Sequence, residues 1–170
     1  MGTEIERKFL VASDGWKKSV TQSMEIIQGY LSEDHAACVR ARLVDGKEGW
    51  LTVKGKGQGP VRPEFEYRIP AEDASEILAM CGHKVLSKHR HIVPAGDGLL
   101  KWEIDVFRDR FQGLTLAEIE LPAADHPVEL PDWLGEEVTG DVQYLNQVMA
   151  CGMPQQVRRG RRIPRRIQGR

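Results

Sequence analysis

Residues 1–10 read Met1-Gly2-Thr3-Glu4-Ile5-Glu6-Arg7-Lys8-Phe9-Leu10. Glu4, Glu6 and Lys8 alternate strictly with Ile5, Arg7 and Phe9. On a strand, successive side chains leave opposite faces, so both carboxylates and the ammonium share one side. Like charges at that spacing repel, and burial sharpens the cost unless something neutralises them. A divalent cation held by hard oxygen ligands would do so. Alone, the stretch equally describes a solvated strand face, so the later strands decide.

Those strands repeat the pattern. Alternation or β-rich composition marks 24–32, 37–44, 50–56, 62–69, 84–93, 99–107 and 115–121 as strands, giving about eight with residues 3–11. Asp45-Gly46 is a hairpin signal, and Gly55 to Pro60 (GKGQGP) reads as a hairpin loop without the G-K-[ST] ending of a P-loop. Helical signals are few: a short helix or turn at 13–21, a helix over 71–81 closed by Gly82, and a closing helix over 141–151. Turn-joined strands imply a largely antiparallel sheet, able to close into a barrel.

The charges sit in same-face pairs two residues apart, and most pairs have one sign. Glu4/Glu6, Glu64/Glu66, Glu103/Asp105 and Glu118/Glu120 are acidic; Arg40/Arg42, Lys54/Lys56 and Lys88/Arg90 are basic. The opposite faces are apolar. Two architectures fit: a sheet that shows its charged face to water, or one that rolls up with the charges inside and helices outside. Repetition on strand after strand favours the second, which requires ligands because buried unpaired charge costs several kcal/mol per ion. Clustered cations suit several phosphates, with arginine gripping bidentately and lysine acting as a point charge. Clustered carboxylates suit Mg²⁺ or Mn²⁺. Together they describe a metal-dependent phosphoryl-transfer site.

These motifs resemble the CYTH domain, the triphosphate tunnel metalloenzyme family. Glu4-Ile5-Glu6-Arg7-Lys8 matches its E-x-E-x-K signature. The remaining charged pairs follow in order, and the V-T-G-D-x-x-Y-x-N run from Val138 to Asn146 resembles its closing helix. The resemblance spans residues 2 to about 152. It implies an α+β, mainly β fold: an eight-stranded antiparallel closed tunnel with helices packed outside. It also implies an enzyme that hydrolyses or rearranges triphosphates with Mg²⁺ or Mn²⁺, two ions being expected, and bacterial members that prefer inorganic triphosphate are the nearest in pattern.

By position, the resemblance makes Glu4, Glu6, Glu118 and Glu120 the principal metal ligands. Glu64, Glu66, Glu103 and Asp105 would complete a second metal site or orient water. Lys8, Arg40, Arg42, Lys54, Lys88 and Arg90 would bind the triphosphate, with Lys56 and Arg62 beside them. The expected reaction is in-line attack of water on a terminal phosphorus. The base is either a carboxylate of the second site, such as Glu64, or Lys88 with its pKa lowered and paired to Tyr30. Arg7, out of phase with its neighbours, is left outside the site. Alternatives are a class IV adenylate cyclase or thiamine triphosphatase, and a non-catalytic polyphosphate- or nucleotide-binding module, which the acidic pairs argue against.

Composition bounds the rest. The chain has 170 residues, 41% hydrophobic and 29% charged, suiting one domain plus a tail. No apolar run approaches the ~20 residues of a membrane-spanning helix, and acidic residues near the start argue against a signal peptide. Cys38, Cys81 and Cys151 are odd in number and far apart, which points to reduced thiols and the cytoplasm. The net charge of −1 hides an asymmetry: 7 of the 24 basic residues are arginines within 155–170, which has no acid. Residues 1–154 therefore hold 17 basic against 25 acidic residues, about −8. The expectation is a tunnel domain over 1–154 and a disordered basic tail over 155–170. The expected partner is a small-molecule triphosphate, with no membrane, no nucleic acid beyond non-specific contact by the tail, and room for a homodimer.

Overall fold

A computed structural model describes residues 5–32, 37–55, 63–96 and 98–152. Nine strands form one sheet: β1 (Ile5–Val11), β2 (Gln22–Tyr30), β3 (Ala37–Val44), β4 (Glu48–Gly55), β5 (Glu64–Ile69), β6 (Val85–Ala95), β7 (Leu100–Phe107), β8 (Thr115–Leu121) and β9 (Leu134–Glu137). Helices α1 (Ala71–Met80) and α2 (Asn146–Cys151) accompany three short 3₁₀ turns. The spatial order is β5-β4-β3-β2-β6-β7-β8-β1-β9, every ladder antiparallel. The mainly β fold with flanking helices is thus as the residues implied.

Three details differ. The ninth strand, Leu-Gly-Glu-Glu, is too short to show alternation and is held by its ladder to β1. Among the described residues no ladder joins β5 to the β1–β9 edge, yet the sheet curls until strands from both ends border one cavity. Residues 141–151 do not form one helix. Asp141 caps a 3₁₀ turn over Val142–Tyr144, its Oδ1 accepting from the Gln143 N–H at 3.0 Å, and extended Leu145 separates that turn from α2. Aspartate's local bonding to the backbone competes with helix here. The proposed tail, residues 155–170, lies outside the described residues.

Local chemistry sets the hairpins and the close contacts. Asp45 and Gly46 both have positive φ, 49° and 65°, the conformation a two-residue turn between twisted strands demands. At Gly49 a Cβ would lie 2.8 Å from that of Ala74, so the glycine lets α1 settle on the outer face of β4. Outside the sheet, Trp102 meets Phe9 and Trp133 edge-on at 5.7 and 5.6 Å, in a cluster with Trp16, Ile104 and Ile119.

The second apolar cluster lies inside. Leu10, Leu116, Phe107 and Leu86 occupy the same faces as Lys8, Glu118, Asp105 and Lys88, each two residues away on its strand. With Tyr30, and with Met149 and Ala150 of α2, they form a buried group. The inner face therefore changes from charged to apolar along its length, and α2 packs into the apolar end.

Candidate active site

The charged face borders a cavity of about 780 Å³ lined by Glu6, Lys8, Arg40, Arg42, Lys54, Glu64, Glu66, Lys88, Arg90, Lys101, Glu103, Glu118 and Glu120, with Leu99, Leu100, Leu121, Pro122, Leu145 and Asn146. Twelve of the residues singled out from sequence thus come together from seven strands. Three more, Glu4, Lys56 and Arg62, lie outside the described residues. Two take other places: Asp105 and Tyr30 do not line the cavity.

Ladder register arranges the charges. Glu6 is directly opposite Glu120, and Glu103 directly opposite Glu118. Like charges so placed destabilise a sheet. Part of the cost is offset by cations: Lys8 Nζ lies 2.9 Å from Glu118 Oε1 and 3.3 Å from Glu6 Oε1, and also donates to the Tyr144 carbonyl. Burial alone would lower the Lys8 pKa, but the Glu118 and Glu6 carboxylates outweigh it and hold it above its ordinary value. Glu120 has no ion pair among the described residues. Across the cavity, Lys54 pairs with Glu64 at 3.0 Å, while Glu66 accepts from the Thr52 hydroxyl at 3.0 Å and lies 3.6 Å from Arg40.

Arg42 differs from every other cation of the wall. It makes no ion pair among the described residues, and its buried Nε has no hydrogen-bond partner. Burial, with Arg40 and Arg90 nearby, pulls its pKa down to about 10. A guanidinium partly withdrawn from water and given no anion is costly. Arg40 Nε is also without a partner. Such a pair of guanidinium groups suits an anion.

Lys88 and Arg90 converge on Asp105, which is 0% exposed. Lys88 Nζ donates to Oδ2 at 2.5 Å; Arg90 Nε donates to Oδ1 and Nη2 to Oδ2, both at 2.7 Å. Arg90 also pairs with Glu103 and reaches Glu118 at 3.5 Å. Burial would raise the Asp105 pKa, but Lys88 and Arg90 bring it down to about 2. Burial lowers that of Lys88. Arg90, despite burial, is held above its ordinary value by Asp105 and its fellow carboxylates.

Tyr30 stands apart from the cavity lining. It is inward-facing, opposite Arg40 on β3, but sits in the inner apolar cluster, where its hydroxyl accepts from Gln28 Nε2 at 2.9 Å. Burial raises its pKa. Among the described residues Lys88 and Tyr30 share no hydrogen bond, so the lysine–tyrosine pair is not what holds either group. Sequence reasoning also passed over Lys101, although it stands two residues from Glu103 on the same face and pairs with it at 3.3 Å. Asn146 ends the V-T-G-D-x-x-Y-x-N run but had no site role assigned from sequence; its place in the cavity, with Oδ1 buried and unpartnered, follows from the docking of α2.

Among the described residues no three carboxylates yet stand close enough together to hold an ion. Glu6, Glu103, Glu118 and Glu120 offer carboxylate oxygens from three adjacent strands, in two like-charge pairs that a cation would relieve. Asp105 does not fit that role, since both its oxygens are committed to Lys88 and Arg90 and neither meets the cavity.

Comparison with known proteins agrees with this architecture. The family model described as the CYTH domain matches residues 2–150. An inorganic triphosphatase of Acetivibrio thermocellus is 44% identical over 86% of this chain and 92% of its own. One of Nitrosomonas europaea is 32% identical over 89% of this chain and 99% of its own. A crystal structure of an inorganic triphosphatase superposes with a TM-score of 0.70 at 32% identity, covering 91% of this chain and 99% of that one. A putative adenylyl cyclase from Hippeastrum, 16% identical over 71% of this chain and 80% of its own, shares the fold at a TM-score of 0.54.

Proposed function

The chain belongs to the CYTH domain family, and from that membership and its cavity we propose that it hydrolyses inorganic triphosphate to diphosphate and phosphate with a divalent cation. The observation that carries this reading is Arg42, a half-buried guanidinium with no ion pair among the described residues, in a wall of cations and carboxylates. A polyanion supplies the missing charge. No aromatic ring lines the cavity among the described residues, so a nucleobase or thiazole has no stacking platform there. That favours inorganic triphosphate over the cyclase and thiamine triphosphatase alternatives.

In this reading Arg40, Arg42 and Lys54 hold one stretch of the triphosphate, and Lys8, Lys88 and Arg90 the other. Arginine supplies paired donors to phosphate oxygens and lysine a compact charge. Glu6, Glu103, Glu118 and Glu120 would hold Mg²⁺ or Mn²⁺, joined by Glu4, and Glu64 with Glu66 would serve a second ion. The metal supplies charge neutralisation on the phosphoryl oxygens and a water with lowered pKa. Water oxygen forms the new bond to the terminal phosphorus, the bridging P–O bond breaks, and diphosphate leaves. The water proton passes to whichever carboxylate of the Glu64/Glu66 side is not engaged by an ion, since Lys88 is already donating to Asp105. The apolar end formed by Leu10, Phe107, Leu116 and α2 excludes bulk water from that end.

The test is phosphate release from inorganic triphosphate, ATP and thiamine triphosphate with Mg²⁺ or Mn²⁺, with cyclic AMP sought among the products. Metal-dependent release, fastest from inorganic triphosphate, is expected. Failure to turn over inorganic triphosphate with either ion overturns the reading.

A further inference from the structure

We propose that Asp105 is a positioning residue that locks Lys88 and Arg90 as one phosphate-binding unit, and not a metal ligand. The inference rests on the triphosphate reading above and adds to it which buried group prepares the cations.

Three facts support it. Asp105 is 0% exposed, while Lys88 and Arg90 both reach the cavity wall. Its oxygens take three charge-assisted hydrogen bonds, a guanidinium fork and an ammonium, at 2.5 to 2.7 Å. The trio sits on adjacent strands, with Arg90 directly opposite Asp105 in the β6–β7 ladder.

The chemistry follows from geometry. Lysine and arginine lose much rotamer freedom on binding an anion. A carboxylate behind them removes that freedom beforehand and turns the other N–H groups toward the cavity wall, where those of Arg90 meet Glu103 and Glu118, which is preorganisation. Two cations against one anion leave the trio with one net positive charge beside the cavity. A metal ligand, by contrast, must present a lone pair to the ion, and Asp105 has turned both oxygens to its cationic neighbours.

The experiment separates anion from metal. Isothermal titration of sodium tripolyphosphate into EDTA-treated protein gives the metal-free affinity, and Mn²⁺ titration followed by electron paramagnetic resonance gives the metal affinity. Both are compared between wild type and Asp105→Asn, with folding checked by circular dichroism. Removing a negative charge near an anion site would tighten anion binding if Asp105 acted only as a charge. Positioning requires the reverse: metal-free tripolyphosphate affinity falls at least about tenfold, and Mn²⁺ affinity stays within twofold. Asp105→Glu keeps the charge but displaces it by one methylene, and should also weaken the anion; it serves alone if Asp105→Asn fails to fold. Unchanged or tighter anion binding overturns the inference, as does a large loss of Mn²⁺ affinity with anion binding intact. Absence of tripolyphosphate binding to the wild type both with and without Mn²⁺ overturns the triphosphate reading itself.

Discussion

Lys8 and Glu118 face one another directly across the β1–β8 ladder, with Nζ 2.9 Å from Oε1. One face of one strand pair thus holds a phosphate-binding candidate and a metal-ligand candidate already in contact, both at most 9% exposed. Substrate and metal would each release the partner the other holds.

Glu118→Gln should therefore lose about 10²-fold or more in kcat/KM for inorganic triphosphate, the scale of removing a preorganised charge at a reacting centre. Lys8 keeps Glu6 as a partner, so the stability cost should stay near 1–3 kcal/mol. Steady-state phosphate release and urea unfolding measure the two. Near-wild-type turnover would remove Glu118 from the metal site.

Arg42→Met should separate function from stability. With its anion-binding guanidinium gone, KM for triphosphate should rise about tenfold or more. Because the same change removes a half-buried cation without an ion pair among the described residues, the melting temperature should hold or rise. A clear fall in melting temperature would mean that Arg42 has a structural partner.

Chelation gives a simpler test. EDTA should abolish phosphate release, and excess Mg²⁺ or Mn²⁺ should restore it, because the cross-strand pairs Glu6/Glu120 and Glu103/Glu118 concentrate negative charge where a triphosphate must enter. Full turnover in EDTA would contradict the metal-dependent mechanism.

On the outer face, Arg7 forks onto Glu137 with bonds of 2.8 and 2.7 Å, tying β1 to β9. The hydrogen bonds from Arg7 lower the Glu137 pKa. A depressed carboxyl contributes stability above its ordinary value, near pH 4.3, and loses it as pH falls through the lowered one. Glu137→Gln should therefore be less stable than wild type at pH 7, by under about 1 kcal/mol for so exposed a pair. The gap should close as pH falls below about 4, as thermal melts across pH would show. A gap independent of pH would mean that the charge is not what matters.

Much of this protein was legible in its residues because a strand has an integral period. Alternation of two assigns every side chain to a face once the strand is recognised, so Glu6, Arg40, Arg42, Lys54 and Glu118 could be grouped before any coordinate was known. The same rule set Arg7 apart, and Arg7 pairs with Glu137 instead. Depth along the tunnel has no such period. Asp105 and Glu103 share a face and a chemistry, yet Glu103 lines the cavity while Asp105 is sealed behind Lys88 and Arg90. Tyr30 likewise points inward but ends in the apolar plug against Gln28. Which carboxylate meets solvent and which meets a cation depends on cross-strand register and on where α2 docks, both set by partners far away in the chain. The sequence determined the face of each charge; only the tertiary structure decided its neighbour, because hydrogen bonds and ion pairs depend on distances that strand period does not encode.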